Sequence, residues 1–230
     1  MILVIGMSKP EAYYEGAMPA RFIGRFERMT GHPVVIAHYS MVRSDWLTQY
    51  PIKAVFIEGF GYPWPEFQVR KAIGLWDFLH EVEVPVLGAC GGHQLIDFVF
   101  TKDFRKTKFL PNQLVRRLRP GEPDLYPSAY PGYLTELGIF PVRIVKRDPL
   151  FRGLPRTMML SLAHSAEVRK LPPGFELLAT SDNCRIQAMK HKEKPIYGTQ
   201  FHAENWTPPY LHGERLIANF FRIAGLGVPR

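Results

Sequence analysis

Four short runs in the first ninety residues are apolar at every position: 2–5, 34–37, 54–57 and 84–87. A strand with one wet face alternates apolar and polar residues, whereas a run without alternation is buried on both faces. Segments of helical spacing lie between these runs. Phe22, Ile23, Phe26 and Met29 repeat at helical intervals and stop at Gly31. Val69, Ile73, Trp76 and Leu79 do so after Pro65, a residue suited to a helix's first turn. Residues 91–100 read as a short apolar helix. Doubly buried strands alternating with helices predict an open, mostly parallel sheet covered on both sides. The second half is richer in strands, expected at 139–145, 157–163, 175–180, 185–189 and 195–201, with turns at Pro172-Pro173-Gly174, Asp182-Asn183 and 192–194. A closing helix is expected over 209–224, with Leu211, Leu216, Ile217, Phe220 and Phe221 inward. No repeat or flexible linker interrupts the chain, so one domain over 1–230 is expected. Residues 101–134 fit no element pattern, carry five prolines and read as an inserted loop.

Two segments carry chemistry. Gly88-Ala89-Cys90-Gly91-Gly92-His93-Gln94 lies where a buried strand turns into a helix. Small neighbours permit a sharp, strained turn that lifts the middle residue above the sheet, and the start of the helix favours negative charge there. This is a nucleophile elbow with cysteine in place of serine; the competing reading is a buried cysteine beside a glycine-rich turn. Gln200-Phe201-His202-Ala203-Glu204 ends the last expected strand. Residues two apart in extended chain face the same side, so a Glu204 carboxylate can orient the His202 imidazole, whose other nitrogen can take a thiol proton. The competing readings are a solvated strand end, or a metal site completed by His191 or His212, which lacks dependable ligand spacing. His93 and Cys184 read as structural, and Trp76 and Phe78 as helix residues at core spacing. Tyr13 and Tyr14 follow the first strand and read as packing or pocket-edge residues. Gly59 and Gly61 lack the spacing of a dinucleotide fingerprint, so no NAD is expected.

These segments resemble the Gly-Ile-Cys-x-Gly-His-Gln and Gly-Val-Gln-Phe-His-Pro-Glu motifs of the class I, triad-type glutamine amidotransferases. Residues 136–138, 148–155 and 163–184 also resemble that family, and 163–168 is similar to the Ser-His-Gly-Asp-x-Val segment of GMP-synthetase-type glutaminases. The resemblance implies a flavodoxin-like three-layer α/β sandwich with extra strands in the C-terminal half. It implies Cys90 as nucleophile, His202 as base and Glu204 as its orienting carboxylate. Gly91 and Phe60 would supply the oxyanion-binding amides, with Gly61 as the alternative to Phe60. Gln94, Gly59, His164 and Ser165 would bind substrate. The implied reaction is hydrolysis of the glutamine side-chain amide through a γ-glutamyl thioester, with no metal or other cofactor. The chain departs from the family at 58–61, where relatives have Ser-Gly-Gly-Pro, and at Ser165, Ala166 and Ala203. It ends at Arg230 without a synthetase domain, so a partner chain is expected to receive the ammonia. A stand-alone hydrolase or transpeptidase of γ-glutamyl compounds and a silent binding member are the competing functions.

Composition narrows the setting. Charged residues are 22% and aromatics 13% of the chain, which excludes a disordered polymer. No apolar run reaches about 18 residues, and the N-terminus lacks a basic leader, so neither a membrane span nor a signal peptide is expected. Two cysteines make no disulfide framework, which favours a cytoplasmic protein with free thiols. The net charge is +8, and half of it falls in 101–134, where seven basic residues face three acidic ones. That stretch reads either as solvated loop or as a docking surface for an acidic partner. Nucleic acid is not expected, because Phe104, Phe109 and Leu110 form no stacking stripe.

Overall fold

The computed structural model describes residues 1–15 and 20–227. Its elements in chain order are β1 (Ile2–Gly6), α1 (Pro10–Tyr14), α2 (Ala20–Thr30), β2 (Val34–His38), α3 (Trp46–Gln49), β3 (Ala54–Ile57), α4 (Ile73–Glu81), β4 (Val86–Ala89), α5 (Gly91–Thr101), β5 (Glu136–Ile144), β6 (Thr157–His164), β7 (Phe175–Thr180), β8 (Ala188–His191), β9 (Ile196–Thr199) and α6 (His212–Ile223). The strands form one nine-stranded sheet in the order β2-β1-β3-β4-β9-β8-β7-β5-β6. From β2 to β9 neighbouring strands are parallel. From β9 to β6 they are antiparallel. The parallel part is the α/β sheet expected from the apolar runs, and the second half adds the extra strands, which pair antiparallel.

The period of two along the strands divides the core. Leu3, Ile5, Val55 and Ile57 face one side, against Leu75, Phe78, Leu79, Leu95 and Phe98 of α4 and α5. Ile2, Val4, Ala54 and Phe56 face the other, against Phe22 and Phe26 of α2 and Phe220 and Phe221 of α6. Both faces are therefore dry, which is why these strands show no alternation. Because β1, β3, β4 and β9 are parallel, the segments that leave them all emerge at one end of the sheet. The sheet reverses direction of growth at β1, between β2 and β3, and open sheets of this type form their crevices at that end.

Several boundaries differ from expectation. The helix expected from Pro65 is broken into 3-10 turns at Trp64–Glu66 and Val69–Ala72, and α4 begins only at Ile73. The strand expected at 185–189 is shifted to Ala188–His191, because the Gln187 amide is drawn to the Ala179 carbonyl beside a bulge in β7. The closing helix begins at His212 rather than 209: Pro208 and Pro209 lack N–H groups, and Tyr210 turns back to Thr207.

Residues 101–134 are not a free loop. Phe104, Leu110 and Val115 are buried, Leu114 bridges Ala166, and Arg117 bridges Tyr133. Arg116 forms a two-pronged ion pair with Glu122 and also holds Asn183, which reaches Glu136. Arg117 lies over the Tyr133 ring, and Arg105 pairs with Asp77. Of its seven basic side chains, Arg105 and Arg116 thus tie the segment to the body, and Arg117 braces it from within. No helix among the described residues is long and apolar enough to cross a membrane.

Candidate active site

Cys90 follows β4 with φ 50° and ψ −106°, and among the described residues it is the sole non-glycine at positive φ. Such a conformation strains a residue with a side chain and persists only where its surroundings impose it. Here the Cys90 amide donates to the Thr199 carbonyl of β9, and its carbonyl accepts from Gln94 in the first turn of α5. The flanking glycines are required by close approach. A Cβ on Gly88 would lie 2.6 Å from the Gly92 carbonyl oxygen, and one on Gly92 would lie 2.4 Å from that of Ile57. One on Gly91 would strike the Phe60 ring at 2.5 Å and approach the Phe60 backbone nitrogen to 3.1 Å. The residues carrying the Gly91 and Phe60 amides thus pack against each other. Neither donates to an acceptor among the described residues.

The turn 58–61 leaves β3 beside the elbow. No residue in it has positive φ, so only space could require its glycines. A Cβ on Gly59 would sit 3.0 Å from both Cys90 Cβ and His202 Cε1, whereas one on Gly61 would meet nothing within 4 Å. Gly59 therefore marks where the Cys90 and His202 side chains converge. His202 follows β9, its amide bound to the Ser161 carbonyl at 2.8 Å and its Nδ1 2.6 Å from Glu204 Oε1. Burial of the imidazole works against its charge, but the Glu204 carboxylate and the Cys90 sulfur, which hydrogen-bonds the ring, outweigh it and hold the His202 pKa well above the usual value.

The Cys90 side chain is 5% exposed and has two further polar neighbours. Its Sγ lies 3.6 Å from the Ala163 carbonyl, to which the thiol donates, and 3.7 Å from Gln200 Nε2. Arg25 of α2 secures the segment after His202. It donates to the carbonyls of Glu204 and Trp206 at 2.9 and 3.0 Å and stacks over the Trp206 indole. Glu58 follows β3 and opens the turn 58–61. Its carboxylate accepts the Met7 amide at 2.8 Å, and burial, reinforced by the nearby Glu204, pushes its pKa up to about 7.

Beside Cys90 opens a cavity of about 180 Å³. Gly61, Gly91, Gln94, His164 and Ser165 line it, and Tyr62, Trp64, Tyr126, Tyr130 and Leu137 supply an aromatic and apolar wall. The inserted stretch thus contributes Tyr126 and Tyr130 directly. Gln94 reaches the cavity, but its polar atoms are committed: Oε1 accepts the Trp64 indole N–H at 2.6 Å, and Nε2 donates to the Ala166 carbonyl and to Gln200 Oε1. His164 Nδ1 faces the Ala166 carbonyl at 3.0 Å, with Nε2 3.1 Å from Glu136. The Ser165 hydroxyl bonds that of Thr135.

The remaining candidates lie apart. His93 is buried with Nε2 on the Ile186 carbonyl, and burial drives its pKa down to about 3, so it is a neutral packing residue. Cys184 is buried, and its environment, with Glu167 against the sulfur, raises its pKa well above a free thiol's. His212 accepts the Met159 amide, and His191 those of Glu193 and Lys194. The described residues hold no group of three or more His, Cys, Asp or Glu side chains placed for a metal ion. Tyr13 packs on Tyr14 and His38.

Sequence reasoning missed Arg25, Glu58, Trp64 and Gln200. Gln200 left a signal in standing two residues before His202 in the quoted segment, and Glu58 in opening the departure at 58–61, although the strand ends at Thr199 before either Gln200 or His202. Arg25 and Trp64 act through contacts across long stretches of chain, which no local pattern announces.

Comparison with known proteins gives the family and the fold. A glutamine-hydrolyzing GMP synthase subunit from Pyrococcus abyssi is 37% identical over 145 residues, 63% of either chain. The same-named protein of Methanocaldococcus jannaschii is 32% identical over 157 residues, 68% of this chain and 69% of that one. The chain thus spans under two thirds of the length of the first of these relatives. A crystal structure of a putative GMP synthase subunit from Thermoplasma acidophilum superposes with a TM-score of 0.70 at 23% identity, covering 97% of this chain and 93% of that one. A Thermotoga maritima glutamine amidotransferase superposes with a TM-score of 0.61 at 16% identity, covering 97% of each chain, and shares the fold. Residues 30–224 match the profile described as glutamine amidotransferase class-I, most of the chain's length, and the chain belongs to that family.

Proposed function

We propose that this chain hydrolyses the side-chain amide of glutamine and supplies the ammonia to a separate synthetase chain, as the names of its relatives among GMP synthase subunits suggest. One observation carries the reading: a strained Cys90 elbow with the His202–Glu204 pair against it and two unengaged amides beside it. His202 Nδ1 is committed to Glu204, so Nε2 is the nitrogen available to the thiol proton. The sulfur pair then forms a bond to the amide carbon, and the carbonyl electrons move onto oxygen, where the Gly91 and Phe60 amides receive the charge. The imidazolium returns its proton to the leaving nitrogen, the C–N bond breaks and ammonia departs. Water, deprotonated by the same imidazole, attacks the thioester, and glutamate leaves as the thiol is restored. His164 and Ser165, which line the cavity, border the substrate, Gly59 sits instead at the contact of Cys90 with His202, and Gln94 shapes the wall rather than offering free polar atoms.

A second reading has one feature in its favour. The outer wall of the cavity, with Tyr126, Tyr130 and Leu137, is apolar and suits a γ-glutamyl compound whose leaving amine carries an apolar group. A single assay separates the two: ammonia release from glutamine, with and without a synthetase chain, against amine release from γ-glutamyl anilides. Stimulation of glutamine turnover by the synthetase supports the first reading. Faster anilide cleavage, indifferent to the synthetase, replaces it with the second. Undiminished turnover by Cys90→Ala overturns both.

A further inference from the structure

We propose that Gln200 is the hydrogen-bond donor presented to the Cys90 sulfur, and that Trp64, acting through Gln94, fixes the direction of that donor. The inference rests on the reading of Cys90 as a nucleophile that works as thiolate.

A carboxamide has a donor end and an acceptor end of nearly equal shape, so its surroundings decide which end it presents. Gln200 is fully buried, and its side chain spans two partners, Gln94 at 3.2 Å and Cys90 Sγ at 3.7 Å. With its oxygen toward the sulfur, it would oppose a thiolate; with its nitrogen there, it donates to one. The choice is settled further along the chain of contacts. The indole N–H of Trp64 is a donor only, and it points at Gln94 at 2.6 Å, so Gln94 must offer its oxygen there. The nitrogen of Gln94 then faces away, where the Ala166 carbonyl, an acceptor only, takes it at 2.9 Å. The second hydrogen of that nitrogen goes to Gln200, which must answer with oxygen. Its own nitrogen is left for Cys90. The row Trp64, Gln94, Gln200, Cys90 runs in one direction: Trp64 and the Ala166 carbonyl together orient Gln94, and Gln94 orients Gln200.

The donor has something to offset. The Ala163 carbonyl faces Sγ at 3.6 Å; it accepts from the thiol and repels the thiolate. The titratable groups facing the sulfur are His202, with Glu204 behind it and Glu58 beyond. The Gln200 N–H is a neutral donor to the anionic sulfur that does not titrate. Trp64 and Gln94 are positioning residues, since neither bonds the sulfur itself.

The test is the rate of Cys90 alkylation by iodoacetamide, followed by peptide mapping across a pH series without glutamine. Gln200→Leu should slow alkylation at neutral pH about tenfold, the low end for a lost hydrogen bond to a charged group. The rise of rate with pH should move to higher pH. Trp64→Phe keeps an aromatic ring against Phe67 and Phe98 and removes only the donor; it should slow alkylation about threefold, because the Ala166 carbonyl still restrains Gln94. Combined with Gln200→Leu, Trp64→Phe should add nothing further. Rate–pH curves for Trp64→Phe and Gln200→Leu that superpose on the native curve, in variants with native near-ultraviolet spectra, overturn the proposal; so does full additivity in the double variant. If Gln200→Leu fails to fold, the Trp64→Phe curve decides alone. The assay needs no turnover, so the proposal can fail while Cys90→Ala still abolishes glutamine hydrolysis, and the converse outcome is equally distinguishable.

Discussion

Two glycines in one turn should respond oppositely to the same substitution. Gly59 and Gly61 flank Phe60, and neither has positive φ, so alanine suits the backbone at both positions. At Gly61 an added Cβ meets nothing within 4 Å. At Gly59 it lies 3.0 Å from Cys90 Cβ and 3.0 Å from His202 Cε1, and 3.5 Å from the Ala89 carbonyl oxygen. Ordinary contact begins near 3.4 Å, so the two side chains must part by a few tenths of an ångström. A misplacement of about 1 Å costs about 10²-fold in rate, so a few tenths should cost about three- to tenfold in kcat. The tight contact should cost about 1 kcal/mol of stability, a fall in Tm of about 2–4 °C at this size. Gly59→Ala should therefore lower kcat for glutamine hydrolysis with its fold retained, and Gly61→Ala should stay within about twofold of native. The assays are steady-state ammonia release and thermal melts on both variants. Native kcat in Gly59→Ala, or an equal loss in Gly61→Ala, would refute the claim that this turn sets the distance between thiol and imidazole.

Other predictions follow from the same contacts. Arg25→Ala removes two hydrogen bonds to the segment bearing Glu204 and should lower both kcat and stability, the latter by about 1–3 kcal/mol in denaturant melts. Glu58 has a folded-state pKa of about 7, above its unfolded value, so the native chain loses stability as pH rises from about 4.5 to 7 and stays destabilised above that range. Glu58→Gln should flatten this dependence and be more stable than native at pH 8 by at most about 3 kcal/mol, with little difference at pH 4; parallel pH–stability curves would contradict it. A glutamine-derived chloroketone should label Cys90 and leave Cys184 unmodified, as peptide mapping will report, because Cys184 is buried and its thiol is held protonated.

What the sequence made legible follows from where the determinants lie. Run 54–57 coincides with β3, because a doubly buried strand writes its burial into consecutive residues, and 175–180 coincides with β7, which is only partly buried but is bounded by the turns at 172–174 and 182–183. The elbow was readable because the glycines needed for close approach adjoin Cys90 in the chain; His202 and Glu204 do pair, but through the 3-10 turn Ala203–Asn205 and not through the extended chain expected. β8 was displaced because its register depends on Gln187 meeting Ala179, a contact between strands. The stretch 101–134 read as a charged loop because sequence counts charges without their partners: Glu122 and Asn183 for Arg116, the Tyr133 ring for Arg117. The assignment of Gln94 to substrate came from family resemblance, while the Trp64 indole that occupies its oxygen lies thirty residues upstream.

The central claim is that Cys90 forms a covalent γ-glutamyl thioester. Native protein mixed with glutamine, quenched in acid within milliseconds and analysed by intact mass and peptide mapping, tests it most directly. One γ-glutamyl adduct is expected, confined to the peptide carrying Cys90 and missing from Cys90→Ala. Glutamine consumed at the native rate with no adduct at Cys90, or with the adduct on another residue, would contradict it.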